Sequence, residues 1–161
     1  MHKLVKSVLI TASVSIISPS ATNAQMPVAS SLWGGTWQLN VATSKLSGPA
    51  GKRTETRVYL VDGNKLSVKA SGTDALGKPI SYSYSGAFDG KAYKMIGNPV
   101  GDSIALTLVN PLKASAVVKM GNTITATATS DVSSDGKHLT LTRTTLNGKA
   151  PTTDVLSFDK K

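Results

Sequence analysis

The stretch "KLSVKASGTDALGKPISYSYSG", residues 65–86, holds two runs that alternate with a period of two. In the first, Leu66, Val68 and Ala70 fall on one face and Lys65, Ser67 and Lys69 on the other. In the second, Ile80, Tyr82 and Tyr84 oppose Ser81, Ser83 and Ser85. Successive side chains of a strand point to opposite sides, so strict alternation describes a strand with one dry and one wet face. Between the runs lies "GTDALGKP", a segment of turn-forming residues. The stretch therefore reads as two antiparallel strands joined by a loop.

The same grammar covers the rest of the chain. "IALTL" aligns Ile104, Leu106 and Leu108, "TITATAT" aligns Ile124, Ala126 and Ala128, and "HLTLTRT" aligns Leu139, Leu141 and Arg143. Asp62-Gly63-Asn64, Asp89-Gly90, Gly101-Asp102, Gly121-Asn122, Asp135-Gly136 and Asn147-Gly148 stand between such runs. These pairs supply the positive φ angles of tight hairpins. Ten strands result, at 35–41, 54–62, 65–72, 79–87, 91–96, 103–109, 113–120, 123–131, 138–145 and 152–159, with no convincing helical period among them and a short turn of helix left as an option near Ala42 to Lys45. The fold class is all-β, an antiparallel up-and-down meander. Left open, it would expose two edges; closing it into a barrel of about eight to ten strands removes them. A two-sheet β-sandwich is the alternative.

The N-terminus has a different composition. His2, Lys3 and Lys6 precede an apolar run from Ser7 to Ile17, and "SATNA" ends in Ala24. That is the layout of a secretory signal peptide, with an apolar run too short to span a bilayer. Cleavage is expected after Ala24, with a later cut near Ala29 as the other option. The expected organisation is a signal peptide at 1–24, a linker at 25–34 and one β-barrel domain at 35–161. Localisation is then periplasmic or secreted, with no transmembrane segment in the mature chain.

Composition narrows the chemistry. The 161 residues contain no cysteine, which excludes disulfides, thiolate metal sites and a cysteine nucleophile. Lys and Arg number 18 against 9 Asp and Glu, a net charge of +9. Such a balance favours an anionic partner surface. The lysines are scattered singly at turns and strand edges, however, where they keep edges soluble, and no specific nucleic-acid site is indicated.

Both tryptophans, Trp33 and Trp37, flank the double glycine of "LWGGTWQLN", residues 32–40. Glycine at the entry to a strand permits close backbone approach, and an indole can then plug the narrow end of a barrel. Gly35-Thr36-Trp37 resembles the Gly-x-Trp signature of the calycins, and "GTWQL" resembles the opening of fatty-acid-binding proteins. "GTWQLN", "GTDALGKP", "FDGK" and "GNP" are also similar to a family of small exported bacterial proteins with no assigned activity. The calycin resemblance implies a cation from a late strand lying across the indole. Arg143, sharing the parity of Leu139 and Leu141, is the expected partner of Trp37 on a barrel floor with Gly35. Two departures stand out. Fatty-acid-binding proteins insert two helices between their first two strands, and "ATSKLSGPAGKR", residues 42–53, is too short for them. Their internal Arg and Tyr carboxylate site has no alignable counterpart here.

Catalysis is not expected. His138 is the only histidine after the signal and stands beside a turn. Ser81, Ser83 and Ser85 lack a nucleophile elbow, and Asp131 and Asp135 lack calcium-loop spacing. An enzyme would need a polar cluster inside the barrel, which the chain hardly has the residues to build. No metal or cofactor is expected. Ile80, Tyr82, Tyr84, Leu106 and Leu108 share inward faces and are the candidate lining of a pocket. The interior otherwise offers small residues: Ala70, Ala105, Ala114, Ala116, Ala126 and Ala128. The expected function is an exported, non-enzymatic module that binds a small hydrophobic or amphipathic molecule. The alternative is a cell-envelope interaction or structural protein with a basic surface.

Overall fold

The computed structural model describes residues 28–146, 148 and 150–161. The expected signal peptide, and Asn147 of the last hairpin turn, lie outside these residues. After a 3₁₀ turn at Ser31–Trp33 come ten strands. They are β1 (Gly35–Lys45), β2 (Thr54–Asp62), β3 (Lys65–Thr73), β4 (Pro79–Ala87) and β5 (Asp89–Ile96), then β6 (Ser103–Asn110), β7 (Lys113–Met120), β8 (Thr123–Val132), β9 (His138–Thr145) and β10 (Thr152–Lys160). Each pairs antiparallel with its neighbours in sequence, and β1 pairs with β10. The sheet is a closed barrel, not a sandwich.

Two local readings are corrected. No helical turn forms at Ala42 to Lys45; β1 continues to Lys45 across an irregularity between Asn40 and Lys45. There the Ser44 hydroxyl accepts the Ser157 N–H at 3.0 Å, replacing a ladder partner. On β8 the alternation breaks, because the β7–β8 register shifts between Val118 and Lys119. Thr125 is thereby buried, and Ile124, expected to share the face of Ala126, is turned outward and 46% exposed. One extra residue in one strand of a pair swaps the faces of all that follows it.

One end of the barrel is sealed. Trp33, Trp37, Phe158, Leu139 and Leu156 are fully buried, and Phe88 and Tyr59 nearly so. Trp33 packs at 6.3 Å from Phe88, and Trp37 meets Tyr59 edge-on at 6.5 Å. The indole N–H of Trp33 donates to the Pro111 carbonyl at 2.8 Å, and that of Trp37 to the Trp33 carbonyl at 2.9 Å. The 3₁₀ turn thus lies across the floor as a plug, and both tryptophans have apolar packing and a satisfied polar edge. Residues of the expected linker take part: Ala29 is buried, and the Ser30 N–H donates to Pro111 at 2.9 Å.

The cation across Trp37 is Lys160, at the end of β10. Its Nζ lies 4.8 Å from the ring centroid and donates to the Leu32 carbonyl at 2.8 Å. Arg143, expected in that place, lies at the other end of the barrel. Gly35 has φ of +129°, and a Cβ there would stand 2.8 Å from Lys160 Cε. The glycine is needed both for its backbone angle and for the lysine to cross.

Candidate functional site

The interior above the floor follows from strand parity. On β2, Glu55, Arg57 and Tyr59 are buried, while Val58 and Leu60 face outward, Leu60 being 66% exposed. The usual assignment of apolar residues inward is inverted on this strand. It is tolerated because the two inward charges neutralise each other. Arg57 donates from Nε to Glu55 Oε1 at 2.7 Å, and its Nη2 lies 2.7 Å from the same oxygen. The Tyr82 hydroxyl donates to that oxygen at 2.9 Å. The Arg57 guanidinium also stacks 4.8 Å from the Phe158 ring centroid and 5.9 Å from that of Tyr82. A buried charge survives only when paired and hydrogen-bonded, and both conditions are met.

The electrostatics agree with the geometry. Burial would raise the Glu55 carboxyl, but the Arg57 charge and hydrogen bonds from Tyr82 and Arg57 hold it below its ordinary value. Burial would lower the Arg57 value, and the Glu55 charge together with Tyr82 and Tyr59 more than reverses this. Burial pushes the Tyr82 and Tyr84 phenols up, so both keep their protons. Among the described residues the Tyr84 hydroxyl has no hydrogen-bond partner.

Beside this cluster lies a cavity of about 70 Å³. Its walls include Tyr82, Tyr84, Leu106 and Ile104, with Trp33 and Phe88 toward the floor. Ala114 and Ala116 from β7 and Ala126 and Ala128 from β8 also line it, and these small side chains leave the space. Above it a vestibule of about 200 Å³ is bordered by Arg53, Glu55, Thr73, Asp74, Ile80, Tyr82, Asn98 and Arg143 among others. Tyr82, Asn98, Val100 and Arg143 border both spaces, so cavity and vestibule adjoin. The connection between β1 and β2 contains no helix, and no helical lid covers this end among the described residues.

Of the residues expected to line a pocket, Tyr82, Tyr84 and Leu106 border the cavity and Ile80 the vestibule. Leu108 does not reach the cavity; it is buried in the core opposite Ala114. Gly35 and Trp37 are at the floor, and Arg143 is at the mouth. There Arg143 Nη2 donates to Asp154 Oδ2 at 2.9 Å across the β9–β10 pair. Ala105, counted among interior residues, faces outward between Ile104 and Leu106, as its parity requires. Sequence reasoning missed Glu55, Arg57 and Tyr59, and with them the interior polar cluster it considered beyond the chain's means. The available signal was "ETRVY", residues 55–59, in which opposite charges and a tyrosine share one parity.

Comparison with known proteins agrees at the level of fold. The chain is similar to a redesigned β-barrel, at 20% identity over 84% of this chain and 97% of that one, with a TM-score of 0.52. It is also similar to the zebrafish ileal bile acid-binding protein, solved with cholic acid, at 11% identity over 81% of this chain and all of that one, with a TM-score of 0.53. No family model matches the chain, and no curated protein matches it as a relative. At these identities the likeness is one of architecture.

Proposed function

We propose that the protein is an exported, non-catalytic barrel that holds one small, largely apolar molecule in the alanine-lined cavity above Trp33. The observation that carries this reading is a floor sealed by two indoles beneath a cavity that adjoins a vestibule with no helical lid among the described residues. Pockets for drug-sized ligands run to roughly 300–1,000 Å³. A cavity of about 70 Å³ with a vestibule of about 200 Å³ therefore fits a single ring or a short chain. The Tyr84 hydroxyl supplies one polar contact, and Ile104, Leu106 and Met95 supply the apolar wall. The buried Arg57 is already matched by Glu55, so the deep part of the cavity has no surplus charge to attract an ion. The zebrafish neighbour, a bile acid-binding protein solved with cholic acid, supports a ligand-binding role for a barrel of this architecture.

Export rests on the first 24 residues. The packing of Ala29 and Ser30 against the floor supports cleavage after Ala24, since a cut near Ala29 would remove part of that contact. The resemblance to small exported bacterial proteins is consistent with this reading.

The test is native mass spectrometry on protein purified from its own source, beside an Ala128→Leu variant. A small organic adduct on the natural protein and its absence from the variant are expected. An adduct-free natural protein that also fails to bind hexanol would overturn the proposal.

A further inference from the structure

The mouth of the barrel carries more cationic donors than the protein satisfies. Arg53 and Arg143 both border the vestibule. The Nε of each is buried and has no hydrogen-bond partner among the described residues. One carboxylate serves both: Asp154 Oδ2 accepts from Arg143 at 2.9 Å and stands 3.9 Å from Arg53 Nη1, beyond hydrogen-bond reach. The other oxygen, Oδ1, is taken by the Ser47 N–H and the Ser47 hydroxyl, each at 2.8 Å. The remaining acids at this end are engaged as well. Glu55 is committed to Arg57 and Tyr82. Asp74 Oδ1 accepts the N–H groups of Leu76 and Lys78 within its own loop, each at 2.9 Å.

A guanidinium presents five donors in a planar fork that matches a carboxylate through two parallel hydrogen bonds. A buried donor left unmatched is costly, and native proteins rarely keep one without a reason. Here there are two, on neighbouring arginines, at the entrance to a cavity. We propose that Arg53 and Arg143 form a binding site for an oxyanion, either free or carried as the head of the molecule in the cavity. Arg143 borders both spaces, so an oxyanion beside it would leave an attached apolar group aimed inward past Tyr82 and Val100. The opposite orientation is disfavoured, because an acid driven down to Arg57 would meet the Glu55 carboxylate on the same guanidinium. The head-group form rests on the cavity being a ligand site; the anion site itself does not.

The experiment follows the arginine Nε–H signals by nuclear magnetic resonance during titration with acetate, hexanoate and hexanol. Acetate has the head without the chain, and hexanol the chain without the head. Both Nε–H signals are expected to shift with acetate and hexanoate and to stay still with hexanol. Hexanoate is expected to bind about ten-fold more tightly than hexanol, an advantage lost in Arg53→Gln and in Arg143→Gln. Arg143→Lys, which keeps the charge and loses the fork, should recover only part of it. Because Arg53 meets Asp154 only as an ion pair at 3.9 Å, Arg53→Gln tests the site without breaking a hydrogen bond. If acetate shifts both signals while neither longer compound binds, the anion site stands and the cavity reading falls. If hexanol binds as well as hexanoate and the Nε–H signals never move, the anion site is overturned and the cavity reading stands.

Discussion

Lys160 places its Nζ 4.8 Å from the centre of the Trp37 ring while donating to the carbonyl of Leu32. The end of the last strand thereby clamps the first strand and the floor plug together. Barrel closure brings these positions side by side, with Trp37 opposite Lys160 in the β1–β10 register. The clamp is thus a consequence of topology as much as of local sequence.

Replacing this lysine should loosen the floor. A cation over an indole contributes about 0.5–2 kcal/mol depending on its desolvation. Lys160→Met is expected to lower unfolding free energy by about that amount and to alter tryptophan emission. Arg143→Met should leave the emission unchanged. Gly35→Ala strains a φ of +129° and crowds Lys160, so its cost should be partly shared with that of Lys160→Met. Urea unfolding of both single variants and the double variant measures that non-additivity.

The acid limb of stability should trace chiefly to Glu55 and Asp154, the buried members of a set of depressed carboxylates that also includes the more exposed Asp89, Asp135 and Asp159. Glu55 is held below its ordinary 4.5 and Asp154 below its ordinary 3.8, in each case against the effect of burial. For Asp154 the opposing contributions are the Ser47 N–H, the Ser47 hydroxyl and Arg143. When the folded value is depressed, the unfolded chain takes up protons first as pH falls. The stabilisation is therefore complete above the unfolded values and is lost as pH drops through the folded ones. Urea midpoints should be level above about pH 5 and decline below about pH 4. Glu55→Gln should be less stable at neutral pH and show a flatter acid limb. A decline of equal steepness in Glu55→Gln would assign it to other groups.

Removing one member of the Glu55–Arg57 pair should cost more than removing both. A buried ion stripped of its partner costs about 3–5 kcal/mol, whereas apolar replacement of a whole pair is often near neutral. Arg57→Met is thus expected to be markedly destabilised and Glu55→Leu/Arg57→Met substantially recovered. Thermal melts of the two variants provide the comparison.

The alanines of β7 and β8 make the cavity, so enlarging one should close it. Ala128→Leu adds volume into open space, where overpacking strain is smaller than the roughly 1–3 kcal/mol of a filled core. The variant should fold with little change in melting temperature and lose affinity for hexanol. Calorimetric titration decides this. Undiminished binding would move the ligand site elsewhere.

Strand positions and closure were legible because alternation and Asp-Gly or Asn-Gly turns are local signals, each tied to one backbone geometry. The sealed floor was legible in part: Gly35 and Trp37 announced it, but the choice of cation was not local. Arg143 and Lys160 both lie on late strands, and only the tilt and register of the closed sheet decide which reaches the indole. The outward turn of Ile124 depended on a register shift that "TITATAT" does not display. β2 was opaque for another reason. Its burial follows from charges neutralising each other within one strand, so hydrophobicity points to the wrong face. The grouping at the mouth was beyond reading because Arg53 precedes β2, Arg143 lies on β9 and Asp154 on β10, and only the closed sheet brings them together.

The wall is weakest between β4 and β5, which are paired only at Ser83↔Ile96 and Tyr84↔Met95. By contrast β3 and β4 pair continuously from Lys65↔Ala87 to Thr73↔Pro79. Below Tyr84 the β4–β5 seam lacks ladder pairs, and Phe88 instead donates its N–H to the Asn64 carbonyl at 2.9 Å. Amide exchange proceeds through local openings whose cost tracks the hydrogen bonds and contacts broken. Amides of β4 that point toward β5 should therefore exchange faster than those pointing toward β3, an alternation along a single strand. Native-state exchange read residue by residue gives the test. Uniform protection along β4 would show that the seam opens only with the whole barrel.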